Sequence, residues 1–163
     1  MAYGIKYQDG FHAVTELPTS VVRRYPVASA TAISKGDCLV ITQAVGYAQL
    51  ATTLAVNGAI FAIALEECTA AEAVSNGTIE MLAVPILAPV MWRVPVTTNA
   101  VLAQATHVGY TYNIDGSEDG ISVAANPTTY YGFRIHAIDI STEAVAVETD
   151  GYAIGAFEAM FNV

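Results

Sequence analysis

Positive charge is what this sequence has least of. Its 163 residues include six Lys and Arg against fifteen Asp and Glu, which gives a net charge of −9 at pH 7. Tight binding to a duplex depends on clustered cations that neutralise the phosphate backbone, and six scattered cations cannot do this. We therefore expect no nucleic-acid partner.

Cysteine is also scarce. Cys38 and Cys68 lie far apart in the chain, and His12, His107 and His136 are isolated from them and from one another. No pair has the spacing of a zinc site, so we expect no metal ion and no other cofactor. Two cysteines are too few for a disulfide scaffold, and free thiols are typical of a protein made in a reducing compartment.

Long apolar runs are missing as well. The longest, Met81–Trp92, contains Pro85 and Pro89, whereas a membrane-spanning helix needs about 20 uninterrupted apolar residues. The first thirty residues lack the basic start and apolar centre of a signal peptide. We expect a protein that contacts no membrane and is made in the cytoplasm without export.

Catalytic motifs are absent too. The chain has no Gly-x-Ser-x-Gly segment and no glycine-rich phosphate loop, and neither cysteine has a neighbouring histidine. Adjacent carboxylates such as Glu66 and Glu67 would point to opposite faces of a strand, so they cannot easily share one substrate. We predict that the protein is not an enzyme.

One segment resembles half of a calcium loop. Asp115, Ser117 and Asp119 alternate before Gly120, as in the start of an EF-hand, but Asn126 stands where that loop needs a bidentate Glu. A turn rich in Asp, Ser and Gly needs no metal to explain it. A plain turn is the favoured interpretation of Asp115–Gly120, and a cation site is the alternative.

What the chain does have is strand-forming sequence. Hydrophobic residues make up 54% and charged residues 13%, and the abundant Val, Ile and Thr fit a pleated surface. Turn residues separate about ten short segments with strand patterning. These are Cys38–Thr42, Tyr47–Ala51, Ile60–Glu66, Thr78–Val84, Ala88–Val96, Val108–Ile114, Ile121–Ala124, Tyr131–Ile140, Ala144–Glu148 and Tyr152–Phe157.

Helical patterning is weak. It is confined to Thr69–Val74, where Thr69 and Glu72 could form a capping box, and to Thr98–Gln104. The sequence therefore predicts an all-β protein, a small barrel or a sandwich. Residues 25–163 would form a single domain, and residues 1–24 would form an extended N-terminal arm.

The arm and the tyrosines are the candidate binding residues. Tyr3, Tyr7, Phe11, Arg23 and Arg24 would anchor the arm to a partner, unless the arm only completes the fold of its own chain. Tyr110 and Tyr112 fall on one face of a predicted strand, and another strand follows Tyr130 and Tyr131. These four could form an interface, belong to the core, or join Trp92 as a platform that stacks on a ligand.

The two halves of the chain also show similar patterning. Gly36 precedes a hairpin and then an alternating strand that begins at Phe61, and Gly109 precedes a similar series that reaches Phe133. If the similarity is not due to chance, two similar β-units would close on one core.

The order of these segments resembles that of a known family. The residues concerned are Tyr25–Ile41, Phe61–Glu67, Asn76–Leu82, Val108–Gly116 and Ala153–Phe157. This pattern is similar to that of the head decoration, or auxiliary capsid, proteins of tailed bacteriophages. The residues before Tyr25 match no part of that pattern.

The resemblance implies a function and a set of partners. Such proteins are not enzymes: they bind the outer face of a capsid, bridge neighbouring major capsid subunits, and often act as trimers. It implies that this protein is made in the host cytoplasm and resides on the exterior of the virion. The alternatives are another phage structural component, such as a head-fibre base, a tail protein or a minor capsid protein, and a small carbohydrate- or ligand-binding β-module.

Overall fold

The computed structural model describes residues 10–41, 46–51, 60–96, 102, 104–115, 120–123, 131–139 and 152–159. These residues are mostly strand, which confirms the all-β prediction. The strands are β1 (His12–Ala13), β2 (Arg23–Pro26), β3 (Cys38–Ile41), β4 (Ala48–Leu50), β5 (Ile60–Ala64), β6 (Glu80–Pro85), β7 (Trp92–Pro95), β8 (Thr111–Asp115), β9 (Gly120–Ser122), β10 (Tyr131–Asp139) and β11 (Tyr152–Ala159). A 3-10 turn covers Thr19–Val21, and one short helix, α1, covers Gln104–His107.

The strands form two antiparallel sheets. Sheet I has the order β2-β6-β5-β3-β4, and sheet II has the order β1-β7-β11-β10-β8-β9. The chain crosses from sheet I to sheet II between β6 and β7. Neither sheet closes on itself within the residues described, so the structure is a sandwich and not the barrel that was the other expectation.

The predicted strands agree with the observed ones to within a few residues at each end. In β3, all four residues are buried, because both faces of sheet I are covered. This explains why its sequence is a continuous apolar run and not an alternation. The predicted strand Ala144–Glu148 lies outside the described residues, as does most of the predicted helix Thr98–Gln104.

A central core fills the space between the two sheets. Phe11, Phe133 and Phe157 are in mutual contact, with ring centroids 5.0 to 6.0 Å apart. The Trp92 ring lies 6.2 Å from that of Phe157. Sheet I contributes smaller side chains to this core: Cys38, Val40, Ile63 and Val84.

An outer core covers the other face of sheet I. The loops at residues 28–37 and 65–79 supply Ile33, Cys68 and Ala73, which are buried with Leu39 and Met81. Ile33 and Cys68 exchange two backbone hydrogen bonds of 2.9 Å, which join the two loops. Cys68 therefore lies across sheet I from Cys38, and neither cysteine forms a disulfide.

The predicted capping box is present in the second of these loops. The Thr69 amide donates to Glu72 Oε2 at 2.8 Å, and the Glu72 amide donates to Thr69 Oγ1 at 3.3 Å. The segment forms a turn and not the predicted helix, because the chain must return to cover sheet I. These two local bonds fix the turn whose next residue, Ala73, is buried in the outer core.

The two halves of the chain repeat one topology. If strands are numbered within each half, β2–β6 and β7–β11, both sheets have the order first, fifth, fourth, second, third, and β1 extends sheet II. In each half, the first strand ends in an Arg-x-Pro sequence that is followed directly by Val. These segments are Arg24–Val27 and Arg93–Val96. Val27 then bridges to Ala48 in β4, and Val96 bridges to Ile121 in β9, the third strand of each half.

The repeat differs from the prediction in how the halves share their cores. Equivalent residues of the two sheets line different cores: Leu39 lies in the outer core, whereas its equivalent, Tyr112, lies in the central core. Two units were expected to close on one core. Sheet I instead has two buried faces.

Residues 10–24 of the predicted N-terminal arm agree with the alternative in which the arm completes the fold of its own chain. Phe11 is only 2% exposed in the central core, and its amide donates to the Gly36 carbonyl at 2.9 Å. β1 pairs with β7, and the expected boundary between residues 24 and 25 falls inside β2. Residues 10–24 therefore belong to the domain, because Phe11 fills the space between the sheets.

Candidate interaction surface

Several of the predicted anchors lie outside the described residues. These are Tyr3, Tyr7 and Tyr130, for which the interaction role stays a prediction. Of Tyr131, the structure describes its place at the start of β10, paired with Ala159. Phe11 is buried in the core of its own chain, so it is not available as a surface anchor.

Arg23 and Arg24 are exposed on β2, which is an edge strand of sheet I. Arg23 Nη1 donates to the carbonyls of Ser20 at 2.7 Å and Val22 at 3.0 Å. Exposed charges and a proline such as Pro26 are features by which an edge strand avoids pairing with another sheet. Two exposed arginines on an edge strand fit this pattern, and their role as anchors for a partner stays a prediction.

Tyr110, Tyr112 and Trp92 do not form a shared stacking surface, which was one of the alternatives for these residues. Tyr110 is 60% exposed, but Tyr112 is only 8% exposed, because β8 begins at Thr111 and carries Tyr112 into the central core. Burial raises the pKa of the Tyr112 phenol. Trp92, at 1% exposure, is also too deeply buried to stack on a surface ligand.

Tyr110 itself is exposed on a firmly held backbone. The Gly109 amide donates to the Ile135 carbonyl at 2.7 Å, and the Ile135 amide donates to the Tyr110 carbonyl at 3.0 Å. The Tyr110 amide donates to the His107 carbonyl at 3.3 Å. These bonds fix the residue between α1 and β10, so little backbone entropy would be lost if its ring were buried against a partner.

A charged pair lies beside this segment. Arg134 Nε is 2.6 Å from Glu158 Oε1, and Arg134 Nη1 donates to the Gly109 carbonyl at 2.9 Å. Thr111 Oγ1 donates to Glu158 Oε2 at 3.2 Å. We call Tyr110, Thr111, Arg134 and Glu158 the Tyr110 patch.

The electrostatics of the Tyr110 patch follow from these contacts. The hydrogen bond from Arg134 is the main reason that the pKa of Glu158 is below its usual range, and the same bond raises the pKa of Arg134. Glu158 is therefore ionised at neutral pH and holds no proton to donate. The arrangement is suited to binding another surface, since Tyr and Arg are the residues that contribute most at protein interfaces.

Sequence reasoning identified Tyr110 but missed Arg134 and Glu158. The two charges are distant in sequence and meet only because β10 pairs with β11. A usable signal was present, because Arg134 interrupts the apolar residues Phe133 and Ile135. In an alternating strand, such a residue points away from the core.

Within the described ranges, no three His, Cys, Asp or Glu side chains come together as metal ligands. Asp115 and Gly120 pair across the β8–β9 hairpin, and residues 116–119 of the candidate cation loop lie outside the described residues. No helix in the described part of the chain has the length and apolar character needed to cross a bilayer.

Comparison with known proteins adds no relative. No protein-family model, no curated protein and no solved structure matches this chain.

Proposed function

We propose that this protein is a structural component of a phage virion that binds the outer surface of the capsid and bridges major capsid subunits. The resemblance of Tyr25–Ile41 and the later segments to head decoration proteins suggests this partner. The fold and the surface suggest how it would bind. The proposal includes self-association as a trimer, which the same resemblance implies.

The observation that carries the proposal is the rigid exposure of Tyr110. An aromatic ring that is 60% exposed keeps a large apolar area in water, and such a ring stabilises a complex when a partner covers it. The hydrogen bonds around Gly109 and Ile135 hold it in place before binding. The Arg134–Glu158 pair beside it offers polar contacts without an unpaired charge.

Other exposed side chains fit a protein partner. Large apolar residues are exposed in three loops, at Val14, Val74 and Leu87. The chain carries few cations, so its surface offers little attraction to nucleic acid or to other anions. An interface of standard size buries about 1,600 Å² in total, and repeating it at many joints would strengthen a shell.

The first test is a sedimentation assay with capsids. Purified protein is mixed with capsids from the source lysate that lack it, and the number of copies in the pellet is measured. Hundreds of copies per particle would support the decoration role. A handful would indicate a fibre, tail or vertex component instead, and none would contradict capsid binding.

Variants then test the Tyr110 patch. We expect Tyr110→Ala to weaken capsid binding by about thirtyfold or more, because a central aromatic contributes roughly 2 kcal/mol or more. Tyr110→Phe keeps the ring and should keep most of the binding. Val74→Ala removes apolar surface from a different exposed face, the loop over sheet I, and should have little effect if the Tyr110 patch is the face that docks. Loss of binding in Val74→Ala with normal binding in Tyr110→Ala would show that another face docks.

A further inference from the structure

A second feature, independent of the Tyr110 patch, lies where β1 meets the end of β5. A cavity of about 330 Å³ opens there, and its lining includes Phe11, Ala13, Thr15, Leu17, Lys35 and Leu65. A water molecule occupies about 30 Å³ in the liquid, so the cavity has room for roughly ten non-hydrogen atoms. Its size is at the lower end of the range for small-molecule sites.

Trp92 also lines this cavity, but its indole nitrogen has no surface open to it. Trp92 is 1% exposed, and its Nε1 is buried without a hydrogen-bond partner among the described residues, so a ligand in the cavity does not reach this atom. The lining of the cavity otherwise includes apolar side chains such as Phe11, Leu17 and Leu65.

The polar part of the lining includes a cation. Lys35 is exposed in the turn before β3 and lines the same cavity. No ion pair joins it to another residue in the described part of the chain. Thr15 lines the cavity as well, and its hydroxyl is a second group that can donate a hydrogen bond.

We propose that this cavity binds a small monocarboxylate with an apolar body of about ten non-hydrogen atoms in all. A carboxylate accepts hydrogen bonds and carries the charge opposite to that of Lys35, so the ammonium group of Lys35 and the hydroxyl of Thr15 can both donate to it. The apolar body lies against Phe11, Leu17 and Leu65, where it leaves water.

The test uses the full-length protein and two probes that differ only in the head group. Phenylacetate has the proposed charge and size, and phenylacetamide has the same shape without the charge. Trp92 is the only tryptophan in the chain, so its fluorescence reports on the cavity, and calorimetry gives the affinity. We expect phenylacetate to bind with one molecule per chain and to change the fluorescence, and phenylacetamide to bind about tenfold more weakly.

Three variants locate the site. Lys35→Met should weaken phenylacetate binding by about tenfold, because a hydrogen bond to a charged group is lost. Ala13→Leu places extra atoms in the cavity and should abolish binding. Ala71→Glu lowers the net charge by one unit on an exposed turn that does not line the cavity, so it controls for the overall charge and should bind normally.

Each outcome bears on the proposal. Absence of phenylacetate binding to the unmodified protein would overturn it. Binding that survives Ala13→Leu would place the ligand elsewhere, and equal affinity for the two probes would overturn the anionic ligand class. Circular dichroism of each variant shows whether lost binding reflects a lost fold, and because Lys35 is exposed, its variant stays informative if Ala13→Leu fails to fold.

Discussion

At the scale of single residues, Gly155 occupies a position that no other residue can fill. It pairs with Ile135 in the neighbouring strand, next to a bulge in β10. A Cβ atom there would lie 1.9 Å from the Arg134 carbonyl oxygen and 2.8 Å from the Phe133 ring. The glycine lets β10 and β11 approach each other closely beside Arg134, which belongs to the Tyr110 patch.

We expect Gly155→Ala to destabilise the fold by about 3 kcal/mol or more, because backbone must move to relieve the overlap. Gly109→Ala is the matched control. An added Cβ there meets nothing within 4 Å, but its positive φ of 89° should cost about 1 to 2 kcal/mol. Urea denaturation of both variants measures the difference. Equal losses would show that the β10–β11 contact relaxes easily.

A second prediction at the residue scale concerns acid stability. The pKa of Glu158 is lower in the folded protein than in the unfolded chain, chiefly because Arg134 donates to it. Its contribution is therefore complete above the unfolded pKa of about 4.3 and is lost as the pH falls through the folded value. The unfolding free energies of the unmodified protein and Glu158→Gln should differ most near neutral pH and converge in acid. A difference that stays constant down to about pH 3 would contradict this account.

At the scale of elements, β1 depends on Phe11 for its position. The strand has two residues, and its pairing with β7 would be marginal by itself. The buried ring holds it against the central core, with its centroid 5.0 Å from that of Phe157. A deletion of residues 1–24 would remove this ring and half of β2, so we expect it to disrupt folding as well as any binding.

We expect Phe11→Ala to lower the free energy of unfolding by about 3 to 5 kcal/mol, because it leaves a cavity between the sheets. Val14→Ala is the control from the same segment. Val14 is 47% exposed, and its truncation should change stability by about 0.5 kcal/mol or less. Chemical denaturation followed by circular dichroism distinguishes the two. A small effect of Phe11→Ala would mean that the residues before β2 dock only loosely.

At the scale of the whole molecule, sheet I lies between the central core and the outer core. Its Cys38, Val40 and Ile63 face sheet II, and the loops at residues 28–37 and 65–79 cover its other face. Sheet II has polar residues such as Thr111 and Arg134 at the positions equivalent to Cys38 and Ile63, on the face that turns away from the core. Residues at equivalent positions are thus apolar in sheet I, where this face packs toward sheet II, and polar in sheet II, where this face turns away from the core.

This layering predicts a single unfolding transition. Sheet I contributes to both cores, so neither core can open without exposing the strands of sheet I. The outer core and the central core should therefore be lost together. Thermal unfolding followed by Trp92 fluorescence reports on sheet II, and far-ultraviolet circular dichroism reports on both sheets. The two curves should coincide. Earlier loss of the circular dichroism signal would show that the outer core melts independently.

The sequence alone determined where most strands and turns lie. Alternation in Tyr131–Ile140, the continuous apolar run at Cys38–Thr42 and the capping pair Thr69 and Glu72 depend on local spacing, and local spacing is what a sequence displays. The similarity between the halves also pointed to the repeated topology. It did not predict the second core, because a strand pattern does not say which loop returns to cover which face.

Only the tertiary structure decided which side chains are exposed and which meet. Tyr110 and Tyr112 are two residues apart, yet one is exposed and the other buried, because β8 enters the central core between them. Arg134 and Glu158 become neighbours through the register of β10 and β11. Trp92 lines a cavity with Lys35 because β1 and the turn before β3 converge there. Register and layer packing join residues that are distant in the chain, and therefore no local pattern encodes them.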